Sequence, residues 1–271
     1  MRLTKPPSVQ QRVSLNQFIL TPFFLDEPCP GLKSLAGPNW ILNEPPLPNG
    51  DKPARIAAVN QRLAQLVSRA VSGGRRPVSI AGDCMSAIGV LAGLERSGSE
   101  PFLVWFDAHG DFNTWETSPS GFLGGMPLAM IVGRGEQTIT RAVGLTPFPE
   151  TRVILTDGRD LDPGEQAALR GSRIRRLSDP KRVLRSVPPG RAVYVHIDTD
   201  IITSAEAPAQ NYPAPGGPTT AELQDVLRRL AARHSVVAVS LSSWNPDLDK
   251  NKASEKASLR LLEALISETR S

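Results

Sequence analysis

The chain has 271 residues, 40% of them apolar and 21% charged, with a formal charge of +4, which is enough apolar mass for one large α/β domain and excludes wholesale disorder. Only 5% of residues are aromatic, and the densest basic stretch, 173–185, contains none, so the basic excess does not read as a nucleic-acid surface. No run of about 18 apolar residues marks a membrane span, and residues 1–14 lack the apolar core of a signal peptide. Cys29 and Cys84 are too few for a disulfide framework. These features lead us to expect a cytoplasmic protein with neither a membrane nor a nucleic acid as partner.

Strand-like apolar runs recur at 17–24, 77–81, 102–106, 152–155, 173–177, 192–197 and 236–241. They are short, β-branched and continuous rather than alternating, as strands buried on both faces are. Amphipathic segments lie between them. In 54–71, Ile56, Val59, Leu63, Leu66, Val67 and Ala70 share one helical stripe. In 219–233, Thr219 and Glu222 form a capping box ahead of Leu223, Val226, Leu227 and Leu230. A last helix is expected over roughly 253–268, with Ala257, Leu261, Leu262 and Leu265 on its apolar face. The 25 prolines gather in the segments 26–54, 145–150 and 208–218, read as loops. The alternation predicts a three-layer α/β/α fold with a mainly parallel central sheet, as a single domain over 1–271.

Ligands of open parallel sheets bind beyond the carboxyl ends of the strands, so the residues after each strand carry the functional reading. The run 102–106 leads into Asp107-Ala108-His109-Gly110-Asp111, and 192–197 into Asp198-Thr199-Asp200. In extended chain, alternate residues share a face, so Asp107, His109 and Asp111 should converge, as should Asp198 and Asp200. Four carboxylates and one imidazole at the ends of two buried strands would repel and lose solvation unless cations neutralise them. This donor set suits a pair of Mn²⁺ or similar ions.

These motifs resemble those of the arginase, agmatinase and formimidoylglutamase (ureohydrolase) family. Asp107-Ala108-His109-Gly110-Asp111-Phe112-Asn113 resembles its D-A-H-x-D-x-N signature, and His196-Ile197-Asp198-Thr199-Asp200 its S-x-D-x-D strand. Ser120-Gly121-Phe122-Leu123-Gly124-Gly125-Met126-Pro127 resembles S-G-x-L-H-G-M-P, and Ala81-Gly82-Asp83-Cys84 resembles G-G-D-H. Arg159-Asp160-Leu161-Asp162 and Ser243-Trp244-Asn245-Pro246 stand where the family has R-D-x-D and E-x-N-P. The resemblance implies one metal ion on Cys84, Asp107, Asp111 and Asp198 and a second on His109, Asp107, Asp198 and Asp200. A hydroxide between them would attack the carbon of a C–N bond in a small guanidino or amidine substrate. It further implies Asp111 and His109 as catalytic groups, with Asp111 passing the proton onward, and Asn113, Ser120 and Ser243 as substrate-binding residues.

Three positions depart from the family pattern. Cys84 replaces a histidine and, as a softer ligand, moves the metal preference towards Zn²⁺ or another divalent ion; it also resembles the branch that cleaves N-omega-hydroxy-L-arginine to ornithine and hydroxyurea. Gly124 replaces a proton-shuttling histidine, which suits a leaving group that needs less proton delivery. Ser243 replaces a glutamate that would pair with a guanidinium, a role for which Glu206 or Asp247 are the candidates to substitute. The alternative reading is a non-catalytic or substrate-diverged metal-binding member with a binding or regulatory role. Among the remaining residues, His196 reads as packed beneath the acids in preference to supporting the ligands, His234 as a surface residue at a helix end, and Tyr212 as loop filler or a residue lining the pocket. A monomer or small homo-oligomer is expected.

Overall fold

Apolar runs too short for helices fold here as strands joined by crossover helices. The computed structural model describes residues 15–242 and 244–267. In chain order the elements are β1 (Asn16–Thr21), β2 (Phe23–Phe24), β3 (Glu27–Pro28), β4 (Ile41–Leu42), α1 (Lys52–Ser72), β5 (Arg76–Ala81), α2 (Ser86–Arg96) and β6 (Phe102–Asp107). There follow α3 (Pro127–Ile131), α4 (Thr138–Val143), β7 (Val153–Asp157), α5 (Pro163–Arg170), β8 (Arg175–Leu177), β9 (Ala192–Asp198), α6 (Thr220–Arg233), β10 (Ser235–Ser242) and α7 (Ala253–Ile266). Eight strands form one sheet in the order β4-β1-β5-β10-β9-β6-β7-β8, every neighbouring pair parallel. β2 and β3 form a separate antiparallel pair. The expected α/β/α architecture is therefore present.

Strand alternation divides the core in two. Leu103 and Trp105 of β6 face a cluster completed by α1 to α5, while Val104 and Phe106 face a second cluster completed by α6 and α7. The three expected helices are α1, α6 and α7. Asp51 caps α1 by accepting from Ala54 N at 2.9 Å, and Thr219 with Glu222 forms the capping box of α6. The run at 17–24 is not one strand: β1 ends at Thr21, and the chain turns at Pro22 into the small antiparallel pair. Proline has no N–H to give a ladder.

The central strands carry a polar column within the first cluster. Parallel register sets Ser240 of β10 beside His196 of β9, and His196 beside Trp105 of β6. All three are fully buried. This column runs under the strand ends that bear the acids. Among the described residues, no helix is long and apolar enough to cross a membrane.

Candidate metal centre

The acids meet at the carboxyl edge of β5, β6, β9 and β10. Asp107 is the last residue of β6 and Asp198 the last of β9. Ligand atoms of Cys84, Asp107 and Asp111 lie within 4.8 Å of one another, and so do those of Asp107, His109 and Asp200. Asp107 thus belongs to both groups. Asp198 joins through Cys84, whose Sγ lies 2.9 Å from Asp198 Oδ2.

The convergence is not produced by extended chain, as the alternation argument supposed. β6 stops at Asp107, and Asp111 has a left-handed backbone with φ 49°. Such a conformation is unfavourable for a residue with a side chain and marks a segment held by its surroundings. The holders are identifiable. Asp111 O accepts from Leu128 N and Ala129 N at the start of α3, and Glu165 Oε1 accepts from Phe112 N at 2.8 Å. Glu165 Oε2 also accepts from Asp162 N at 3.3 Å, so one carboxylate ties the loop after β6 to α5. A Cβ at Gly110 would stand 2.5 Å from Glu165 Oε1, which explains the glycine. Likewise, Asp200 sits in a 3-10 turn, Thr199–Ile201, and its N–H donates to Asp198 Oδ1 at 2.9 Å.

The motif before Cys84 is structural. A Cβ at Gly82 would lie 2.4 Å from Phe23 O, so only glycine lets β2 pass this strand end. Asp83 braces the same crossing by accepting from Leu25 N at 2.5 Å and Met85 N at 2.7 Å.

Electrostatics favour a bound cation. Burial first, then Asp107 and Asp198, push Asp111 well above the carboxylate range; burial, Asp200 and Asp107 do the same to Asp198. Burial and Asp107 raise Asp200 to about 6. Burial lowers the affinity of His109 for a proton, but hydrogen bonds to Asp107 and Asp200 outweigh it and raise its pKa to about 12. Burial and the carboxylates Asp198, Asp111 and Asp107 also push the Cys84 thiol well up. The cluster therefore gathers protons unless another positive charge takes their place. Divalent cations would do so by displacing those protons. Asp111 Oδ2 is a buried oxygen with no hydrogen-bond partner, a free acceptor for such an ion. His109 presents Nδ1 to Asp200 Oδ2 at 2.9 Å and turns Nε2 towards Asp160 Oδ2 at 3.9 Å. A ligating histidine commonly points its other nitrogen at a carboxylate in this way. The donor set fits two divalent ions.

From below, Trp105 Nε1 donates to Asp107 Oδ2 at 2.8 Å. Its ring packs against His196 at a tilt of 35°, centroids 3.8 Å apart. His196 Nδ1 meets Ser240 Oγ at 2.7 Å, and Tyr194 OH meets the same oxygen at 2.6 Å. His196 is thus packed under the acids, as expected, and burial pushes its pKa down to about 3.

Above the acids opens a cavity of about 410 Å³, bordered by Cys84, His109, Asp111, Asp198 and Asp200 together with Asn113 and Ser120. Asn113 is buried and already committed: its Nδ2 donates to Asp162 Oδ2 at 2.9 Å and its Oδ1 accepts from Thr117 at 3.0 Å. Ser120 is exposed, and its Oγ accepts from Phe122 N at 3.3 Å. Ser243 lies outside the described residues. Neither proposed substitute for its missing carboxylate borders this cavity among the described residues. Glu206 Oε2 instead accepts from Thr220 N at 2.8 Å, holding the first turn of α6, and Asp247 borders an adjoining cavity. His234 ends α6 but is buried, not on the surface. Of the two readings of Tyr212 the structure has the second: it lines the cavity with Phe24, Phe122, Asp162 and Glu165. Sequence reading gave no role to the last four. The run Asp162-Pro163-Gly164-Glu165 was open to recognition as a helix start; the aromatic residues had no such signal.

Fold and site together define an α/β protein with a cradle for divalent cations at the carboxyl edge of a parallel sheet. The sequence profile of the arginase family matches residues 42–267. The arginase of Bacillus caldovelox is 32% identical over 228 residues, which cover 79% of this chain and 76% of that one. Its native structure matches with a TM-score of 0.79 at 26% identity, covering 96% of this chain and all (100%) of that one. Formimidoylglutamase from Bacillus subtilis shares the fold, with a TM-score of 0.71 at 14% identity, covering 95% and 87% of the two chains. This chain belongs to the arginase family.

Proposed function

We propose that the protein is a binuclear-metal hydrolase that cleaves a C–N bond in a small guanidino, hydroxyguanidino or amidine substrate, with N-omega-hydroxy-L-arginine, cleaved to ornithine and hydroxyurea, as the leading candidate. The observation that carries this reading is Asp107, a fully buried carboxylate shared by two groups of potential ligands whose other members, Cys84, Asp111, His109 and Asp200, border an open cavity. Cys84, Asp107, Asp111 and Asp198 would hold one ion, and His109, Asp107, Asp198 and Asp200 the other. Two Mn²⁺, or Zn²⁺ given the Cys84 thiolate, would acidify a water molecule and supply a nucleophile near neutral pH.

The protein's own groups do the rest. Asp111, whose Oδ2 is buried and has no hydrogen-bond partner, would pass a proton onward to the departing nitrogen. His109 is kept in orientation by Asp200 on one nitrogen and faces Asp160 on the other. Ser120 meets the polar end of the substrate, and Asn113, fixed by Asp162 and Thr117, shapes that end of the cavity. Gly124 offers no proton carrier, which supports a substrate whose N-hydroxyl lowers the basicity of the guanidine and eases attack at its carbon, with the departing amine taking its proton from Asp111. We further propose one domain over the whole chain, a cytoplasmic location, and a monomer or small homo-oligomer.

The test is a substrate screen over arginine, N-omega-hydroxyarginine, agmatine, guanidino acids and formiminoglutamate with Mn²⁺, reading urea, hydroxyurea and ammonia. Hydroxyurea from hydroxyarginine is the expected product. Stoichiometric metal binding with no turnover of any compound would instead support the binding or regulatory reading.

A further inference from the structure

The three aromatic rings of the cavity form a connected wall. Phe24 and Phe122 stack with centroids 6.3 Å apart, and Phe122 meets Tyr212 at 5.0 Å. Phe122 is seated directly against Gly124: a Cβ built there would lie 2.3 Å from Cε1 and 2.4 Å from Cζ of its ring. The backbone of Phe122 is pinned on both sides, its N–H donating to Ser120 Oγ at 3.3 Å and its carbonyl accepting from Gly125 N at 3.2 Å. The ring therefore fills the space that any side chain at position 124 would need. It also makes one wall apolar in a cavity bordered elsewhere by the carboxylates, Cys84 and His109.

We propose that Phe122 is a specificity-determining residue: its ring, held over Gly124, selects substrates that carry an aliphatic spacer between the reacting C–N group and the polar end. This rests on the hydrolytic reading above and narrows its substrate class. A phenyl ring offers no donor or acceptor, so it discriminates through the apolar area it covers. Each methylene laid against such a surface improves affinity about three- to fourfold. Gly124 acts through Phe122, because even a methyl group at 124 displaces the ring.

The experiment titrates the Mn²⁺-loaded full chain calorimetrically with ω-guanidino acids of about one to five methylenes. For the wild type, Kd falls about three- to fourfold per added methylene until the cavity is filled. In Phe122→Ala the dependence drops below about twofold per methylene, and in Phe122→Leu, which restores apolar area, most of it returns. Gly124→Ala flattens the series as Phe122→Ala does, and the double variant is no flatter than Phe122→Ala alone. A flat wild-type series overturns the proposal, as does an unchanged slope in Phe122→Ala with full metal content; the wild-type series and Gly124→Ala decide the matter if Phe122→Ala does not fold. Turnover plays no part in this readout. A sloped series without hydrolysis supports the role of Phe122 while removing the hydrolytic reading, and hydrolysis with a flat series does the reverse.

Discussion

Replacing Trp105 with phenylalanine tests whether the polar column beneath the acids sets metal affinity. The substitution removes one hydrogen bond, from Nε1 to Asp107 Oδ2 at 2.8 Å, and keeps an aromatic ring against His196. Trp105 and Asp107 are both fully buried, so water cannot take the place of the indole. A hydrogen bond to a charged group contributes about 1.5–3 kcal/mol. Asp107 must be ionised to hold a cation, so most of that loss falls on the metal-loaded state. The expected outcome is a roughly ten- to hundredfold rise in the Kd for Mn²⁺. Both ions are affected because Asp107 belongs to both groups. The smaller ring also leaves a void that costs about 1–3 kcal/mol of folding stability, which denaturation of the metal-free protein measures separately. Calorimetric Mn²⁺ titration of the folded variant is the assay. Binding of both equivalents within about twofold of the wild type would refute the reasoning, because an oxygen already held elsewhere would not miss the indole.

Asp107→Ala should lose both metal equivalents by elemental analysis and, with them, hydrolysis; Asp198→Ala should lose at least the ion beside Cys84. Full activity in either variant would rule out the mechanism. Cys84→Ser removes the one soft ligand, so the ratio of Zn²⁺ to Mn²⁺ affinity should fall by about tenfold or more, measured by competition against a chelator; an unchanged ratio places the thiol outside the coordination sphere. The metal-free protein should lose stability between pH 5 and pH 7. Asp200 and Asp83 are raised to about 6 and Glu165 to about 7, so the folded state holds protons that the unfolded state has released. Their contribution is complete near pH 4 and is lost as pH rises through 6 to 7, at about 1.4 kcal/mol per unit for each group. His196, pushed down to about 3, and His234, also lowered by burial, work in the opposite sense below pH 6.5, but they are outnumbered by the raised carboxylates, which include Asp111, Asp157 and Asp198 as well. Urea midpoints of chelator-treated protein at the two pH values check the sign, and a higher midpoint at pH 7 would contradict it.

The sequence by itself determined the layered architecture and most of the acidic cluster at the sheet edge. Continuous β-branched runs can be buried on both faces only in a covered parallel sheet, and acids placed at the ends of such runs must meet at one edge. Asp107, Asp198 and Asp200 were legible for that reason. α2 was not, because all its residues from Ser86 to Leu94 are buried and no polar face gives it a period. Tertiary structure alone decided how the acids converge: Asp111 reaches the cluster through a left-handed turn held by α3 and Glu165, not through strand alternation. It also put Trp105 under Asp107 against His196, and Phe122 over Gly124. Those contacts depend on cross-strand register and on loops returning from distant segments. Local patterns specify which face a residue takes, but not which residue from another element will stand opposite it.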